Sequence, residues 1–575
     1  MSKLKKIADN IKNNKFDEAL KQCNSLDDKN DKHIICNFKG VIHLIKGNLE
    51  ESEKNFLNSL KIKSDYKDPI KNLYLVYLKK KNFKDLLFYA KKLTEIDKFN
   101  NEYNYQLAYA FELNNNLDEA RKYYELYLEQ NGNNKKKALN NIGCIYLKRN
   151  KPKIAIEFFL KAIELGEDKI IINNIFNCYV LLRDLTNSEI FYIKAQKIDD
   201  TFIEFKHTKA KYLILHNKID EALEVLNENK DKPNFLITLL ILYFNLGENE
   251  LGKKLLKDTR HKMEKDPDFF NYYGLKLLYE GDFDTGWKFY EFRNSKIIGN
   301  KQNNKFKNVK EWSGEKILNK HIVVIYEQGL GDSIQFSKYL IPLTKIAEEV
   351  TFIVQDNIRN LFKKNIKNLS IKTIDEHTNV KYDYKITLGS LIKFFYKEKI
   401  KFQDIIIQSD KELDLKWKKK ISKSKFNIGL TWSGSFNGVN EPYRSIPLQT
   451  FKDFFSLESN FYCLQSEVWS RDLEYFKSFN FIDCGKYKLN EIASIIHNLD
   501  LIITTDTSIL HLSASLGKET WGIISLYPDW RWGEFNKFNP YPNLKIFKQK
   551  KFNDWFDVKD SLLNELKIKI NNYKK

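Results

Sequence analysis

The sequence predicts a two-part protein, in which a solenoid of paired helices is followed by an α/β region built on parallel sheets. Two observations lead to this prediction. A short phrase recurs at nearly constant spacing through the first half of the 575-residue chain. After about residue 300 the recurrence stops, and short β-branched runs alternate with stretches of helical spacing.

The recurring phrase reads KFDEA at Lys15–Ala19 and KIDEA at Lys218–Ala222. Its last position is small or apolar, and successive copies are 33 to 35 residues apart. The last positions are Ala19, Ser52, Leu86, Ala120, Ala155, Ser188 and Ala222. A period near 34 is specific to tetratricopeptide repeats, whose unit is two helices joined by a turn. Since one unit cannot bury its apolar face alone, the units are expected to stack into a superhelix.

Six β-branched or aromatic runs predict strands in the second half. They are His321–Tyr326, Thr351–Val354, Phe426–Trp432, Phe461–Leu464, Leu501–Thr505 and Trp521–Ser525. Stretches of helical spacing lie between them, for example Ser333–Leu343, Leu489–Leu499 and Thr507–Leu516. This alternation indicates parallel sheets, and the length is sufficient for two doubly wound sheets that face each other across a cleft.

The predicted domain limits follow from these changes of pattern. Residues 1–295 are assigned to the repeat array, 296–318 to a linker, 319–418 to a first α/β lobe and 419–575 to a second. The linker prediction rests on a polar stretch rich in Asn and Lys between Asn294 and Asn308.

Composition excludes several classes of protein. The formal net charge is +20, but the lysines are spread along the chain without an Arg-rich stripe or base-stacking motif, so nucleic-acid binding is not expected. No pair of the six cysteines forms a C-x-x-C motif, so neither a zinc site nor a disulfide framework is indicated. The longest uncharged apolar run, Phe235 to Gly247, is too short to cross a bilayer and predicts a buried helix. The N-terminal residues lack the apolar core of a signal peptide, and the prediction is a cytoplasmic protein.

Three loops that follow predicted strands contain residues suited to chemistry. The first is Gly329-Leu330-Gly331-Asp332. Gly331 lets the backbone approach a ligand closely. Asp332 lies at the start of the next helix, where it is either a helix cap or a general base.

The second loop contains Thr431, Ser433 and Gly434, and it continues through Ser435 and Asn440 to Arg444. Hydroxyl groups and backbone amides of such a loop suit phosphate oxygens, and Arg444 offers a bidentate fork for a diphosphate. The alternative is a solvated loop with one exposed arginine.

The third loop is Thr505 to Ser508, with His511 one turn into the helix that follows. A helix N-terminus suits a diphosphate, Asp506 suits sugar hydroxyls, and Thr507 and Ser508 suit phosphate oxygens. His511 has two interpretations, a ligand contact and a structural histidine.

Four segments that occur in order resemble the heptosyltransferase-like glycosyltransferases of family 9, in the form fused to tetratricopeptide repeats in bacteria. These segments are YEQGLGDSIQFSKYL, GLTWSGS…YRSIPL, TTDTSILHLSASLGK and PDWRWG. DFDTGWKFYEFR at Asp282–Arg293 is also similar to that fused group. The resemblance implies a GT-B fold with two Rossmann-like lobes, a nucleotide-sugar donor held mostly by the second lobe, and no metal or further cofactor.

The resemblance also assigns roles to individual residues. The aspartate of the first glycine loop, proposed as the base in heptosyltransferases, corresponds to Asp332. The family's D-T-x-x-x-H motif, which contacts donor ribose and phosphate, corresponds to Asp506, Thr507 and His511. Arg444 stands in the loop where heptosyltransferases often have lysine.

The sequence therefore predicts an inverting, metal-independent glycosyltransferase. The repeat array indicates a protein acceptor or partner. Two alternatives stay open, namely transfer to lipopolysaccharide or another glycan, and a non-catalytic repeat scaffold with a degenerate transferase domain.

Overall fold

The computed structural model describes residues 3–26, 30–149, 151–263, 266–296, 305–363, 365–376, 380–398, 400–434, 441–533 and 541–573. Contact density divides the chain into two compact units, Met1–Cys178 and Tyr179–Lys575. The first unit consists of helices, whereas the second contains further helices and both sheets.

Helices α1 to α10 lie within the first unit, and α11 crosses the division. Their bounds are α1 Lys3–Lys12, α2 Phe16–Ser25, α3 Lys32–Ile45, α4 Leu49–Ile62, α5 Lys67–Lys80, α6 Phe83–Ile96, α7 Asn101–Leu113, α8 Leu117–Glu129, α9 Lys135–Lys148, α10 Pro152–Glu164 and α11 Lys169–Leu182. In the described ranges before the sheets there are seven further helices: α12 Leu185–Ile198, α13 Ile203–Leu215, α14 Ile219–Glu228, α15 Pro233–Asn245, α16 Asn249–Thr259, α17 Pro267–Glu280 and α18 Phe283–Tyr290.

The recurring phrase starts the second helix of each repeat. The side chains of Asn48, Asn82 and Asp184 each accept a hydrogen bond from the backbone N–H three residues later, which caps α4, α6 and α12. The small or apolar residue that ends the phrase is fully buried in every copy from Ala19 to Ala222. The predicted helical repeat array is thereby confirmed, and the run from Phe235 forms the buried helix α15 as predicted.

The first sheet is parallel throughout, with strand order β1-β5-β2-β3-β4. The strands are β1 Lys310–Glu311, β2 His321–Ile325, β3 Glu349–Ile353, β4 Leu369–Lys372 and β5 Tyr384–Thr387. Short helices accompany them: α19 Leu330–Phe336, α20 Leu340–Thr344 and α21 Ile392–Phe395.

The second sheet is also parallel, with strand order β11-β10-β9-β6-β7-β8. The strands are β6 Phe426–Thr431, β7 Ser459–Cys463, β8 Phe481–Asp483, β9 Leu501–Thr505, β10 Thr520–Ile524 and β11 Leu544–Lys548. The helices are α22 Lys411–Lys420, α23 Glu441–Arg444, α24 Leu473–Ser478, α25 Leu489–Asn498, α26 Ser508–Ser515 and α27 Phe556–Tyr573. Two parallel sheets with intervening helices confirm the predicted α/β class.

Two segments differ from the prediction. The helix expected over Ser333–Leu343 consists of α19, a 3₁₀ turn at Ser337–Tyr339 and α20. The predicted linker, whose residues 297–304 lie outside the described part, joins the first sheet through β1. Trp312 is buried there, and its indole N–H donates to the Glu315 carbonyl. A two-residue strand leaves no periodicity in the sequence, so the pattern alone does not identify it.

The core of the α/β region includes side chains from the end of the repeat array. Leu278 of α17 and Trp287 and Tyr290 of α18 are buried in the same cluster as the strands of the first sheet. The last helical pair is therefore packed as part of the α/β region. Within the described residues, no helix combines the length and apolar character needed to span a bilayer.

Candidate active site

A cleft of about 560 Å³ lies at the carboxyl ends of strands from both sheets. Loops after β2, β6, β9 and β10 line it, because parallel strands deliver their carboxyl ends to one edge of a sheet. All ten residues singled out from the sequence line this cleft: Gly331, Asp332, Thr431, Ser433, Gly434, Arg444, Asp506, Thr507, Ser508 and His511. Ser435 and Asn440 of the second predicted loop lie outside the described residues. The roles of the ten residues stay predictions.

Asp332 is the third residue of α19 and makes two contacts. Its Oδ2 accepts a hydrogen bond from the Gly329 backbone N–H at 3.0 Å, and its Oδ1 accepts one from Nη2 of Arg531. Burial raises the pKa of this carboxyl, while the Arg531 guanidinium opposes the increase. Asp332 caps the start of α19 and also faces the cleft, so the interpretations as a helix cap and as a general base both have support.

Gly331 lets the two lobes approach closely. A Cβ at this position would lie 3.4 Å from the Ser508 Cα and 3.5 Å from the His511 ring. The start of α19 in the first lobe therefore faces the start of α26 in the second, and a Cβ added at Gly331 would be in van der Waals contact with α26.

Hydroxyl groups of the second loop form internal hydrogen bonds. The Thr431 hydroxyl shares a hydrogen bond of 2.5 Å with the Thr504 hydroxyl. The Ser433 hydroxyl accepts a hydrogen bond from the Gln465 side-chain N–H at 2.7 Å. The Gln465 side-chain oxygen accepts a hydrogen bond from the Ser433 backbone N–H at 3.3 Å. Gln465, which the sequence reasoning missed, thus shapes this loop.

Arg444 and Asp506 lie next to each other. Nη1 of Arg444 donates to the Asp506 backbone carbonyl at 2.8 Å. Burial raises the pKa of the Asp506 side chain to about 6, with Arg444 opposing the increase. The arginine therefore lies within the site, which differs from the solvated-loop alternative.

Helix α26 begins at Ser508, directly after Thr507. His511 lies one turn later, is 4% exposed, and stacks on Trp532 with ring centroids 5.7 Å apart. Burial holds the pKa of His511 well below its usual range, and Arg531 and Lys338 add to the effect. His511 is therefore neutral, and its Nδ1 has no hydrogen-bond partner among the described residues.

Arg531 is the main site residue that the sequence reasoning did not single out. It belongs to the PDWRWG segment, and its side chain is 11% exposed. Nη1 donates to Asp529 Oδ1 at 2.6 Å, and Nε donates to Gln335 Oε1 at 2.6 Å. The sequence does offer one indication of Arg531, since it is an arginine between two tryptophans in the PDWRWG segment. The local sequence does not show its contact with Asp332, because the two residues are 199 positions apart.

The last repeat also lines the cleft, through Asn271 and Leu275 of α17 and Tyr290 of α18. The Tyr290 hydroxyl donates to the Gln328 side-chain carbonyl at 2.9 Å, next to the glycine loop. The side-chain oxygen of Asn271 is buried and has no partner in the described part of the chain. Trp287 meets Trp530, the neighbour of Arg531, edge to face at 5.1 Å.

A buried ion pair joins the end of the array to the first sheet. Nη2 of Arg293 contacts Glu327 Oε1 at 2.9 Å, and both side chains are almost fully buried. Gly389 accommodates this carboxylate, since a Cβ there would lie 2.4 Å from Glu327 Oε1. The pair lies directly before the glycine loop that carries Asp332.

Among the described residues, no group of three or more His, Cys, Asp and Glu side chains has an arrangement that would hold a metal ion. Positive charge in the described cleft comes from Arg444 and Arg531.

The comparisons with known proteins match both halves of the chain. The model of glycosyltransferase family 9 (heptosyltransferase) matches residues 467–549, and that of the tetratricopeptide repeat matches 102–134 and 136–168. Among curated proteins, the chain is similar to Protein FlbA of Caulobacter vibrioides, with 19% identity over 447 residues, 72% of this chain and 70% of that protein.

Solved structures of both kinds are similar to parts of the chain. The glycosyl transferase family 9 protein of Veillonella parvula is 16% identical with a TM-score of 0.31, covering 43% of this chain and 91% of that one. PilF of Pseudomonas aeruginosa is 16% identical with a TM-score of 0.30, covering 35% and 92%. YrrB, a TPR protein with an unusual peptide-binding site, is 18% identical with a TM-score of 0.26, covering 31% and 91%.

Residues 467–549 include Asp506, Thr507, His511 and Arg531 of the cleft. Segments that match the tetratricopeptide repeat and glycosyltransferase family 9 therefore occur in one chain, and the second of them supplies residues of the cleft.

Proposed function

We propose that this chain is an inverting, metal-independent glycosyltransferase that moves a sugar from a nucleotide-sugar donor to a hydroxyl group. One observation carries the proposal. Asp332 of the first lobe faces the same cleft as Arg444, Arg531 and the N-terminus of α26 in the second. A base on one side and positive charge on the other are what displacement of a nucleoside diphosphate requires.

The donor diphosphate binds at the N-terminus of α26. The first N–H groups of a helix have no partner within the helix, and the helix dipole favours negative charge there. Thr507 and Ser508 stand at this end, and Arg444 is held beside it by the Asp506 carbonyl. A guanidinium has five N–H donors in a planar fork, which suits Arg444 to binding phosphate oxygens.

The reaction is a single displacement. Asp332 accepts the proton of the acceptor hydroxyl, and that oxygen forms a bond to the anomeric carbon. The bond from this carbon to the phosphate oxygen breaks, and its electron pair leaves with the nucleoside diphosphate. Attack from the face opposite the leaving group inverts the anomeric configuration. Arg444, Arg531 and the start of α26 stabilise the growing negative charge without a metal.

A protein is the proposed acceptor. Tetratricopeptide arrays usually present a concave surface that binds a peptide or a protein, and this chain devotes half of its length to helices of that kind. Transfer to lipopolysaccharide or another glycan is the competing outcome. No nucleic acid and no further cofactor enters the proposal.

A thermal-shift screen with UDP-, ADP-, GDP- and CMP-sugars tests donor binding. A ligand that binds the folded protein raises the melting temperature by mass action, so a hit identifies the donor class. If none of these nucleotide sugars shifts the transition, the non-catalytic scaffold is favoured instead.

Replacing Asp332 by Asn tests the base. D332N keeps one side-chain oxygen, which accepts only one of the two hydrogen bonds from Arg531 and Gly329. It removes the proton acceptor, so we expect sugar transfer to fall by at least about 100-fold, within the usual range for loss of a general base. The donor-induced thermal shift should persist. Normal transfer by D332N, measured with a radiolabelled donor, contradicts the assignment.

The acceptor class is tested with the same label. The wild-type chain is incubated with a radiolabelled donor and an extract of its host, and the product is digested with protease. Label that moves into small peptides supports a protein acceptor, whereas label that resists protease and remains in a glycan fraction contradicts it.

A further inference from the structure

We propose that Arg531 is a positioning residue for the base: it extends from the second lobe, orients the Asp332 carboxylate and keeps it charged while the donor diphosphate is bound. This inference rests on the proposed function, because it assumes that Asp332 is the base.

The geometry fixes the direction of the Arg531 side chain. Its guanidinium lies 4.9 Å from the ring centroids of both Phe336 and Trp530, so aromatic faces hold its plane. Nη1 is held by Asp529 and Nε by Gln335, which leaves Nη2 directed at Asp332. Arg531 therefore has anchors on three sides and presents one edge to the carboxylate.

Two of these contacts are made with one helix of the other lobe. Gln335 and Asp332 are three residues apart on α19 and hence share a helix face. Gln335 is 1% exposed, so its amide is a fixed acceptor. Arg531 thus recognises this face of α19 at two points, which sets the rotation of the Asp332 carboxylate as well as its position.

The positive charge of Arg531 also affects the ionisation of Asp332. Burial and the neighbouring Asp529 raise the pKa of Asp332, and a bound diphosphate adds further negative charge nearby. A protonated carboxyl does not accept the acceptor proton. An adjacent arginine lowers a carboxyl pKa by about 1 to 3, which offsets these effects. Arg531 therefore keeps Asp332 ionised when the anionic donor arrives.

Several other groups surround the carboxylate. The charged and titratable groups that face Asp332 or its loop are Arg531 and Asp529 after β10, Arg293 and Glu327 beside the glycine loop, Tyr290 of α18 and His511 of α26. Lys338 and Asp506 act on Arg531 from further away. Of these groups, Arg531 donates a hydrogen bond directly to the Asp332 side chain.

Two substitutions with opposite expected effects test the inference. R531Q removes the cation, so the acid limb of the kcat profile should move to higher pH by at least about 1. D529N removes a like charge but keeps an oxygen for Arg531, so the acid limb should move to lower pH. R531K keeps the charge without the fork, so it should lower kcat while the acid limb moves by less than in R531Q.

If Arg531 contributed only to stability or to donor binding, R531Q would leave the acid limb of the kcat profile unchanged. A lower melting temperature or a higher donor KM in R531Q with an unmoved acid limb overturns the inference. Movement of the limb in the same direction by R531Q and D529N overturns it too. If R531Q does not fold, D529N still decides through the sign of its shift.

A binding measurement separates this inference from the proposed function. Calorimetry of nucleotide-sugar binding in two buffers of different ionisation enthalpy reports proton uptake. At pH 7 R531Q should take up more protons on donor binding than the wild-type chain does, by as much as one, and R531Q with D332N should lack this excess. Equal uptake by wild type and R531Q overturns the inference. A chain that binds donor and shows this difference, yet transfers no sugar, contradicts only the proposed reaction.

Discussion

Asp506 is a residue of the cleft whose ionisation lowers the stability of the folded protein. Its carboxyl has a pKa of about 6 because burial penalises the ionised form. The folded chain therefore binds this proton more tightly than the unfolded chain, in which the pKa is near 3.8. Ionised Asp506 lowers the free energy of unfolding progressively as pH rises from about 4 to about 6.

D506N is consequently expected to stabilise the protein at neutral pH. The gain is at most about 3 kcal/mol above pH 6, because each pKa unit corresponds to about 1.4 kcal/mol, and it should vanish near pH 4. Donor affinity should decrease at the same time, since the proposed acceptor for a sugar hydroxyl is lost. Melting curves at pH 4 and pH 7.5 check the first effect, and an equal shift at both pH values would contradict it.

Sequence reasoning identified the residues that stand next to recognisable turns and missed those that depend on long-range contacts. Gly331, Asp332 and Asp506 each follow a buried strand, so strand-end logic was sufficient to find them. Gln465 and Arg531 act through partners 32 and 199 residues away. No local spacing encodes such contacts. The Gln465 contact arises when β6 and β7 pair in the second sheet, and the Arg531 contact arises when the two lobes face each other.

Among the elements, the packing of α19 against α26 brings the two halves of the cleft together. Gly331 lies at this contact, where a Cβ at 3.4 Å from Ser508 Cα is still within ordinary van der Waals distance. Valine carries two methyl groups on this Cβ, and these need space beyond a contact that is already at van der Waals distance.

G331A and G331V form a graded pair. We expect G331A to retain most of the transfer activity, and G331V to lose donor binding because it displaces the start of α26. Donor titration by thermal shift checks this, with the melting temperature of the free protein as the control for folding. Donor binding by G331V at wild-type affinity would show that the lobes tolerate separation here.

The strands that were predicted lie inside the sheets, whereas most of those that were missed lie at sheet edges. Strands β2, β6, β9 and β10 are buried on both faces, so they are continuous apolar runs in the sequence. Strands β1, β4, β8 and β11 lie at sheet edges and carry polar residues. Strand β5 was also missed, although it lies between β1 and β2, and it has four residues. An edge strand with one exposed side lacks the pattern that identifies an interior one.

At the scale of the whole molecule, the end of the repeat array and the α/β region share one core. Trp287 packs on Trp530, and Arg293 pairs with the buried Glu327. The division by contact density falls at Cys178, well before the predicted array limit of 295. The repeat period of 34 predicts the array. It does not indicate the position after which the helices pack into the core of the α/β region.

Two truncations are expected to behave differently. Removal of residues 1–168 leaves α11 and the second unit intact and should yield a soluble chain that still binds the donor. Removal of residues 1–293 leaves Glu327 buried without its guanidinium, which costs about 3–5 kcal/mol, and also exposes Trp530. Soluble yield and donor-induced thermal shift measure both outcomes. A well-folded 294–575 fragment would show that the shared core is dispensable.

The Arg293–Glu327 pair has a consequence for the history of such chains. A gene fusion that exchanged one repeat array for another at the end of the repeats would separate the Arg293 guanidinium from the buried Glu327 carboxylate. We therefore expect recombination to be tolerated further upstream, at a position that leaves α17, α18 and Arg293 in the same chain as the sheets. Related proteins that acquired different arrays should thus have inherited their final helical pair together with the transferase, as one genetic unit.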